Sequence, residues 1–401
     1  VKMDAKQLPL ADITVLDLSR ILAGPYCTMI LADMGATVYK IENPDGGDDS
    51  RNFGPYVKGE SAYFGSINRN KLSLTLNLKH PKAKALLLEM VKLADVVVEN
   101  FRPGTMERLG LGYETLSEIN PRIIYAAVSG FGHSGPYMMK PGYDIVAQAM
   151  SGLMSITGHP GGPPTRVGAS VGDITGGMFA TIGILAALHE RKTSGVGQKV
   201  DVGLLDSQIA ILENAVTRYM TTGEIPTRVG NRHPSITPFT AMGTADGHVI
   251  LAIGNDGLWV KFCEAVDAPA LAADERFRTN PLRTEHWGDL EPLLAPIFAQ
   301  RKTAEWIEFL EARGIPCGPI NTIDKVVADP QVQARRMIRS VEHPVAGPLP
   351  VTALPIKMSR TPVDEEFRVA PGLGHDTGDV LRELLGLSDQ ELEELRRAGA
   401  I

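Results

Sequence analysis

One segment of this 401-residue chain puts a carboxylate where covalent chemistry is feasible. Residues 168–177 read Gly-Ala-Ser-Val-Gly-Asp-Ile-Thr-Gly-Gly, and Asp173 directly precedes Ile174 to Arg191, a long apolar stretch that predicts a helix. A helix dipole keeps an aspartate at its N-terminus ionised. Flanking glycines let a substrate approach the backbone, whose N–H groups can stabilise an oxyanion. The same residue types also make an ordinary helix cap, for which Asp is favoured.

A second set of candidates follows the predicted strands. After Asp95 to Val98 come Glu99, Asn100, Phe101, Arg102, Pro103 and Gly104. Polar, aromatic and basic groups at a strand end suit a ligand with an adenine ring and phosphates, because ligands of open α/β sheets lie beyond the strands' carboxyl ends. A turn asparagine and a core aromatic are the alternative. Lys79 and His80 follow Leu72 to Leu78 in the same way. The first βα turn, Ala23-Gly24-Pro25-Tyr26-Cys27, has one glycine where dinucleotide enzymes have three, so NAD is not expected. Cys27, Cys263 and Cys317 form no Cys-x-x-Cys pair, and no two histidines have metal spacing, so no metal is expected either. There is no Gly-x-Ser-x-Gly elbow. His233, in Gly230-Asn231-Arg232-His233-Pro234, either lines a cleft or sits on a surface loop.

These residues need a sheet to hold them. Ile13 to Leu18 predicts a strand, Gly24-Pro25 opens a helix to Met34 that Gly35 ends, and Thr37 to Ile41 predicts the next strand. This βαβ unit implies a right-handed crossover and a parallel sheet. Leu72 to Leu78, Asp95 to Val98, Ile123 to Val128 and Lys199 to Val202 predict further strands. Pro81 to Leu93, Tyr113 to Ile119 and Asp144 to Leu153 predict helices. Residues 130–142 and 158–168 are Gly- and Pro-rich loops. The fold class is α/β, with an open, doubly wound sheet. Near residue 223 the composition changes, and Asp246-Gly247 predicts a hairpin turn before the strand His248 to Ile253. Amphipathic helices follow near Trp259–Val266 and Thr303–Arg313, so about 229–325 reads as a smaller α+β domain. Beyond Pro330 the chain reads as loop until helices Thr377–Leu385 and Ser388–Arg397. The latter opens with a capping box, Ser388 and Glu391.

Composition bounds the function. Lys+Arg is 40 and Asp+Glu is 47, a formal charge of 40 − 47 = −7, which points away from nucleic acid as a partner. No apolar run approaches the ~18 residues of a membrane span, and Val1 to Leu10 lacks the apolar core of a secretory signal. With three widely spaced cysteines, reduced thiols and a cytoplasmic location are expected.

Taken in order, the motifs resemble those of the family III CoA-transferases (CaiB/BaiF-like), among them formyl-CoA transferase, carnitine CoA-transferase, succinyl-CoA-dependent dicarboxylate transferases and the related α-methylacyl-CoA racemases. The matching residues run through Val15 to Leu18, Ala23-Gly24-Pro25, Gly35-Ala36, Lys40-Ile41-Glu42, Asn68 to Lys71, Asp95 to Phe101, Pro103-Gly104, Gly168 to Gly177, Gly195 to Val200, Gly314 to Pro319 and Gly374-His375. The resemblance implies a large Rossmann-like domain built from both chain ends (1–205 and, after a linker, 326–401), a linker at 206–228, a small domain at 229–325 and an interlocked homodimer. It implies that Asp173 is the covalent nucleophile, carrying CoA from an acyl-CoA donor to a carboxylate acceptor through an aspartyl anhydride and an aspartyl-CoA thioester. Coenzyme A, carried in as the acyl-CoA substrate, would be held by Ile21, Leu22 and Ala23, by Leu76, Asn77, Leu78 and Lys79, by Asn100, Phe101 and Arg102, and by Arg108 and Tyr143, with Asp144 beside it. Leu22 stands where the formyl-CoA/oxalate branch has glutamine and its glycine run is missing, so oxalate is not the expected acceptor; the Gly230 to Pro234 loop resembles the branches that use succinyl-CoA and a dicarboxylate, which are the expected pair. Arg51, Arg69 and Arg232 are candidates for a distal carboxylate, or are surface arginines. Two other functions compete. A racemase would need a histidine where Gly142-Tyr143-Asp144-Ile145 has tyrosine, a poor base at neutral pH. A non-catalytic acyl-CoA-binding protein would not need Asp173.

Overall fold

Six parallel strands carry the architecture. In the computed structural model, which describes residues 8–363 and 367–401, these are β1 (Thr14–Asp17), β2 (Thr37–Glu42), β3 (Lys71–Thr75), β4 (Val96–Glu99), β5 (Ile124–Ser129) and β6 (Lys199–Gly203). They lie in the order β3-β2-β1-β4-β5-β6. Every pairing is parallel. This is the order of doubly wound nucleotide-binding sheets, in which the strand sequence reverses between β1 and β4 and opens a crevice there. The strands are apolar because helices cover both faces. Val15, Val38, Val96, Val98, Ile124, Ala126 and Val128 face one side, with α1 (Ala23–Asp33) and α6 (Val171–Ser194). Leu16, Tyr39, Ile41, Leu74, Val97, Tyr125 and Ala127 face the other, with α3 (Pro81–Leu93), α11 (Thr377–Leu385) and α12 (Asp389–Arg397). The alternation is that of a pleated strand.

The chain divides into two compact units: Val1–Leu153, Arg166–Val216 and Pro330–Ile401 form the larger, and Met154–Thr165 with Thr217–Asp329 the smaller. Residues 154–165 thus group with the smaller unit. Part of the stretch read as linker is helix α7 (Leu204–Ala210), which packs on α6. The C-terminal segment returns to the large sheet: the Ser73 N–H donates to Asp376 Oδ2 at 2.8 Å and the Thr75 N–H to Thr377 Oγ1 at 3.0 Å. In the smaller unit, β7 (Phe239–Gly243), β8 (His248–Ala252) and β9 (Cys317–Pro319) make an antiparallel sheet in the order β9-β8-β7. Its core holds Trp259, Phe262, Leu290, Leu294, Phe298 and Trp306 from α8 (Asp256–Ala265), α9 (Trp287–Phe298) and α10 (Thr303–Glu311).

Two expectations are corrected, and one helix was not anticipated. Helix α9 contains Pro292 and Pro296, residues that ordinarily interrupt a helix, and the sequence pattern passes over it. The stretch after Pro330 is not loop throughout: Ile338–His343 and Gly347–Thr352 form an antiparallel hairpin. Finally, α6 spans 24 residues and is long and apolar enough by composition to cross a membrane. Much of that apolar character serves the core, since Gly172, Gly176, Gly177, Ala180, Ile184, Ala187 and Leu188 are buried.

The glycines of α6 explain its closeness to its neighbours. A Cβ on Gly176 would stand 2.7 Å from Leu204 Cδ2, and one on Gly177 2.6 Å from the Ala23 carbonyl oxygen. They are contact points with α7 and α1, not openings for a substrate. Gly177→Ala is expected to lower stability by about 1–3 kcal/mol, the reverse of the ~0.5–1 kcal/mol gain that alanine brings at an unconstrained helix position. Gly288 in α9 has open space around it and supplies the control. Urea-unfolding midpoints of Gly177→Ala and Gly288→Ala check the two signs.

Candidate active site

Asp173 is the third residue of α6, inside the first turn, and Ser170 occupies the cap position. The simple capping alternative therefore falls away. Its carboxyl group is half-buried and lies close to that of Asp144, the first residue of α5 (Asp144–Met150). Asp144 is itself fixed: Oδ1 accepts the Gly172 N–H at 2.8 Å, Oδ2 accepts from Gln148 Nε2 at 2.8 Å, and Arg166 stands 3.9 Å away. Burial, and then the Asp144 charge, raise the Asp173 pKa to about 7. This corrects the expectation that the helix dipole keeps Asp173 fully ionised: desolvation and a like charge outweigh it.

A residue that sequence reasoning missed also belongs here. Tyr63, in α2 (Ala62–Ile67), packs its ring edge-on to Phe53 and lies against the cluster containing Leu22 and Met29. Its phenol is raised above its ordinary pKa by burial and then by the carboxylates of Asp173 and Asp48. No spacing signal marks Tyr63, because its partners are far away in sequence.

The turn after β1 is built by buried charge. Lys40 Nζ pairs with Asp48 Oδ2 at 2.8 Å and donates to the Ser19 carbonyl at 3.0 Å. Asp48 Oδ1 accepts the Ile21 N–H at 3.0 Å. Ile21 is thereby held at φ +69, a left-handed conformation that a β-branched residue adopts only under constraint. Lys71 Nζ donates to Asp17 Oδ2 (3.0 Å), to the Pro25 carbonyl (3.0 Å) and to Asn68 Oδ1 (2.9 Å). Asp17 also accepts from Ser19 Oγ and from Thr28 Oγ1. Burial would raise the Asp17 pKa, but Lys71 and Lys40 override it and hold it at about 2. Burial lowers Lys71 to about 8 against the pull of Asp17.

The residues expected to hold CoA fall into three groups. Ile21, Leu22 and Ala23 follow β1, and Asn100, Phe101 and Arg102 follow β4, so both segments flank the crevice between those strands. Asn100 laces them together: Oδ1 accepts the Arg20 N–H at 2.8 Å and Nδ2 donates to the Arg20 carbonyl at 2.7 Å. The Phe101 N–H donates to Glu99 Oε2 at 2.7 Å, and the Arg20 guanidinium lies 5.3 Å from the Phe101 ring centroid. Arg102 is exposed, as is Arg108 in α4 (Thr105–Leu109), where it donates to Thr105 Oγ1 at 3.0 Å. The third group follows β3. Leu76 is in the core, Leu78 packs against it, and Asn77 Nδ2 donates to the Gly399 carbonyl at 3.2 Å, which leaves Lys79 exposed. His80 caps α3 by accepting the Lys82 N–H at 3.2 Å. Tyr143 precedes α5 with 67% of its surface exposed.

Two candidate arginines are already engaged. Arg51 makes two hydrogen bonds of 2.7 Å to Glu42 and stacks 3.7 Å from the Phe64 centroid. Arg69 is buried in a two-point pair with Asp33. His233 accepts the Ser235 N–H and packs on Phe239.

Residues 10–377 match the model of CoA-transferase family III. The chain belongs to that family. It is 42% identical to the succinate–glutarate CoA-transferase of Agrobacterium fabrum, over 95% of this chain and 97% of the relative. It is 39% identical to human succinyl-CoA:glutarate CoA-transferase, over 98% of this chain and 90% of the relative. Among solved structures, a CaiB/BaiF family protein from Brucella suis superposes with a TM-score of 0.82 at 38% identity, covering 94% of this chain and all of that one. The protein is therefore a CoA-transferase, moving CoA from an acyl-CoA donor to a carboxylic acid.

A carboxylic acid attacks a thioester only as its carboxylate, so a nucleophilic Asp173, the role proposed below, would have to be ionised. Its raised pKa gives the sign of the pH dependence: kcat/KM for the donor is expected to rise with pH through about 7. Asp144→Asn removes the like charge and should move that midpoint to lower pH. A pH–rate profile of both proteins checks this, and an unshifted midpoint would show that Asp144 does not act on Asp173.

Proposed function

We propose that this family III enzyme transfers CoA from succinyl-CoA to a dicarboxylate of the glutarate class, with Asp173 as the covalent nucleophile. The observation that supports the mechanism is the half-buried Asp173 in the first turn of α6, under the influence of the Asp144 charge and one turn from the contact of Gly177 with the Ala23 carbonyl. The substrate pair is supported by the activities for which the two relatives are named.

Asp173 attacks the donor thioester carbonyl. The C–S bond breaks, giving a succinyl-aspartyl anhydride and CoA thiolate. The thiolate attacks the aspartyl carbonyl, which releases succinate and leaves an aspartyl-CoA thioester. The acceptor carboxylate attacks that carbonyl and forms a second mixed anhydride. The returning thiolate attacks the acceptor's carbonyl, so that acceptor-CoA leaves and Asp173 is restored. The overall exchange trades one thioester for another of similar energy, and the covalent intermediates divide one difficult step into several easier ones. A carboxyl with a pKa near 7 is about half ionised at neutral pH and, when ionised, is a stronger nucleophile than an ordinary aspartate. Leu22, Ala23 and Phe101 would meet the apolar parts of CoA, and Lys79, Arg102 and Arg108 its phosphates, as exposed cations suited to that task.

The working form is proposed to be a homodimer. Met178, Phe179 and Ile182 on α6, and Tyr143, Ile145, Val146 and Met150 around α5, are exposed in the single chain, and surfaces of that kind mark association sites. A cytoplasmic location is proposed with it, in keeping with three free cysteines.

The test is incubation with succinyl-CoA and glutarate, hydroxylamine or borohydride trapping, and mass spectrometry. A mass change on Asp173 together with glutaryl-CoA formation is expected. Asp173→Ala should abolish turnover while still binding CoA. Turnover by Asp173→Ala would overturn the mechanism. Exchange of an α-proton of the acyl group in deuterated water, without CoA transfer, would instead establish the racemase chemistry that Tyr143 argues against.

A further inference from the structure

The smaller unit carries a cavity of about 460 Å³, within the range of small-molecule sites. Its walls include His159, Asn231, Arg232, His248, Trp287 and Glu291. Two loops are tied together to make it. The Gly230 N–H donates to the Gly158 carbonyl at 3.0 Å, and Arg228 Nη1 to the Ser155 carbonyl at 3.2 Å. Gly230 sits at φ +70, where a Cβ would come 3.3 Å from His159 Nδ1. Only glycine lets the loop bring Asn231 and Arg232 to the cavity alongside that imidazole.

Arg232 is the group that calls for a ligand. Its guanidinium lies 5.6 Å from the centroid of the Trp287 indole. Unlike Arg51 and Arg69, it forms no ion pair with a carboxylate of the described residues. Glu291 also lines the cavity, without an ion pair to Arg232. A half-buried guanidinium over the Trp287 indole, two imidazoles and a carboxamide line the same cavity.

We propose that this cavity is a binding site for a small organic carboxylate. Arg232 takes the carboxylate through its two-pronged donor edge, Asn231 and an imidazole complete the donor set, and Trp287 packs against the ligand's methylenes. Glu291 disfavours a second negative charge at its end of the cavity, so a longer or singly charged carboxylate is held better than a compact dianion. That the ligand is a carboxylate of the substrate class rests on the transferase reading; the site itself rests on Arg232 and its surroundings.

Tryptophan emission tests it on the full-length protein. Of the chain's three tryptophans, Trp259 and Trp306 are buried in the core, and Trp287 is the one on the cavity. Titration with glutarate, succinate, butyrate and inorganic phosphate is expected to change the emission saturably for the carboxylates. The change should vanish in Trp287→Phe. Arg232→Ala should weaken binding roughly tenfold or more, and Arg232→Lys should weaken it less. Emission and melting temperature of the unliganded variants show that they are folded. Asp173→Ala should bind as the wild type does, so a failure of the transferase mechanism leaves this result standing. Absence of a saturable change up to ~10 mM carboxylate, tenfold above a weak Kd of ~1 mM, overturns the proposal. A response to phosphate alone, or binding unaffected in Arg232→Ala, also overturns it.

Discussion

The pair formed by Lys40 and Asp48 carries more of this structure than its position on a central strand suggests. Both side chains are removed from water, and burying two charges costs several kcal/mol per ion unless good geometry and further hydrogen bonds offset it. Here they do. Lys40 spends one hydrogen on the Ser19 carbonyl, and Asp48 accepts from Ile21 and Ser50. The pair thereby grips both sides of the turn that leaves β1. Lys71 holds the start of α1 in the same manner, through Asp17 and Pro25. The carboxyl edge of a parallel sheet is where a ligand has to sit, and these buried cations make its central loop rigid.

The loops around that edge form one laced surface. Asp48 joins the segment after β2 to the turn after β1, and Asn100 joins that turn to the segment after β4. Both functional groups of the Asn100 amide are engaged with Arg20, which ties the segment of Phe101 and Arg102 to the turn that carries Leu22 and Ala23. Glu99 does the same one residue earlier, by accepting the Phe101 N–H. Burial raises the Glu99 pKa to about 7, against the hydrogen bonds from Phe101 and Tyr125 that lower it.

Much of this was legible in the sequence, and the boundary has a physical cause. Pro81–Leu93, Tyr113–Ile119 and Thr377–Leu385 are helices with the predicted limits, because their apolar period and end signals are local. The Ser388–Glu391 capping box is present for the same reason. Asp173 stood out through its glycines, though for a partly wrong reason: Gly172, Gly176 and Gly177 serve close packing on α7 and α1. What local pattern could not supply was pairing across the chain. Lys40, Lys71 and Arg69 look like surface charges in a sequence and are buried, each with a partner 8 to 54 residues away. Tyr63 was invisible on the same ground. Helix α9 escaped because two prolines sit in it, while Leu290, Leu294 and Phe298 still bury one face.

Asp173 shows how the fold sets reactivity. Three influences meet at its carboxyl group. The N-terminal turn of α6 favours the charged form by an amount of order 1 kcal/mol. Burial disfavours it, and Asp144 disfavours it further. The balance lies on the neutral side of an ordinary aspartate. Asp144 accepts the Gly172 N–H and a Gln148 hydrogen, which fix it beside the first turn of α6. In the mechanism proposed above, Asp173, so poised, attacks as a carboxylate and leaves as one, as each exchange of CoA requires.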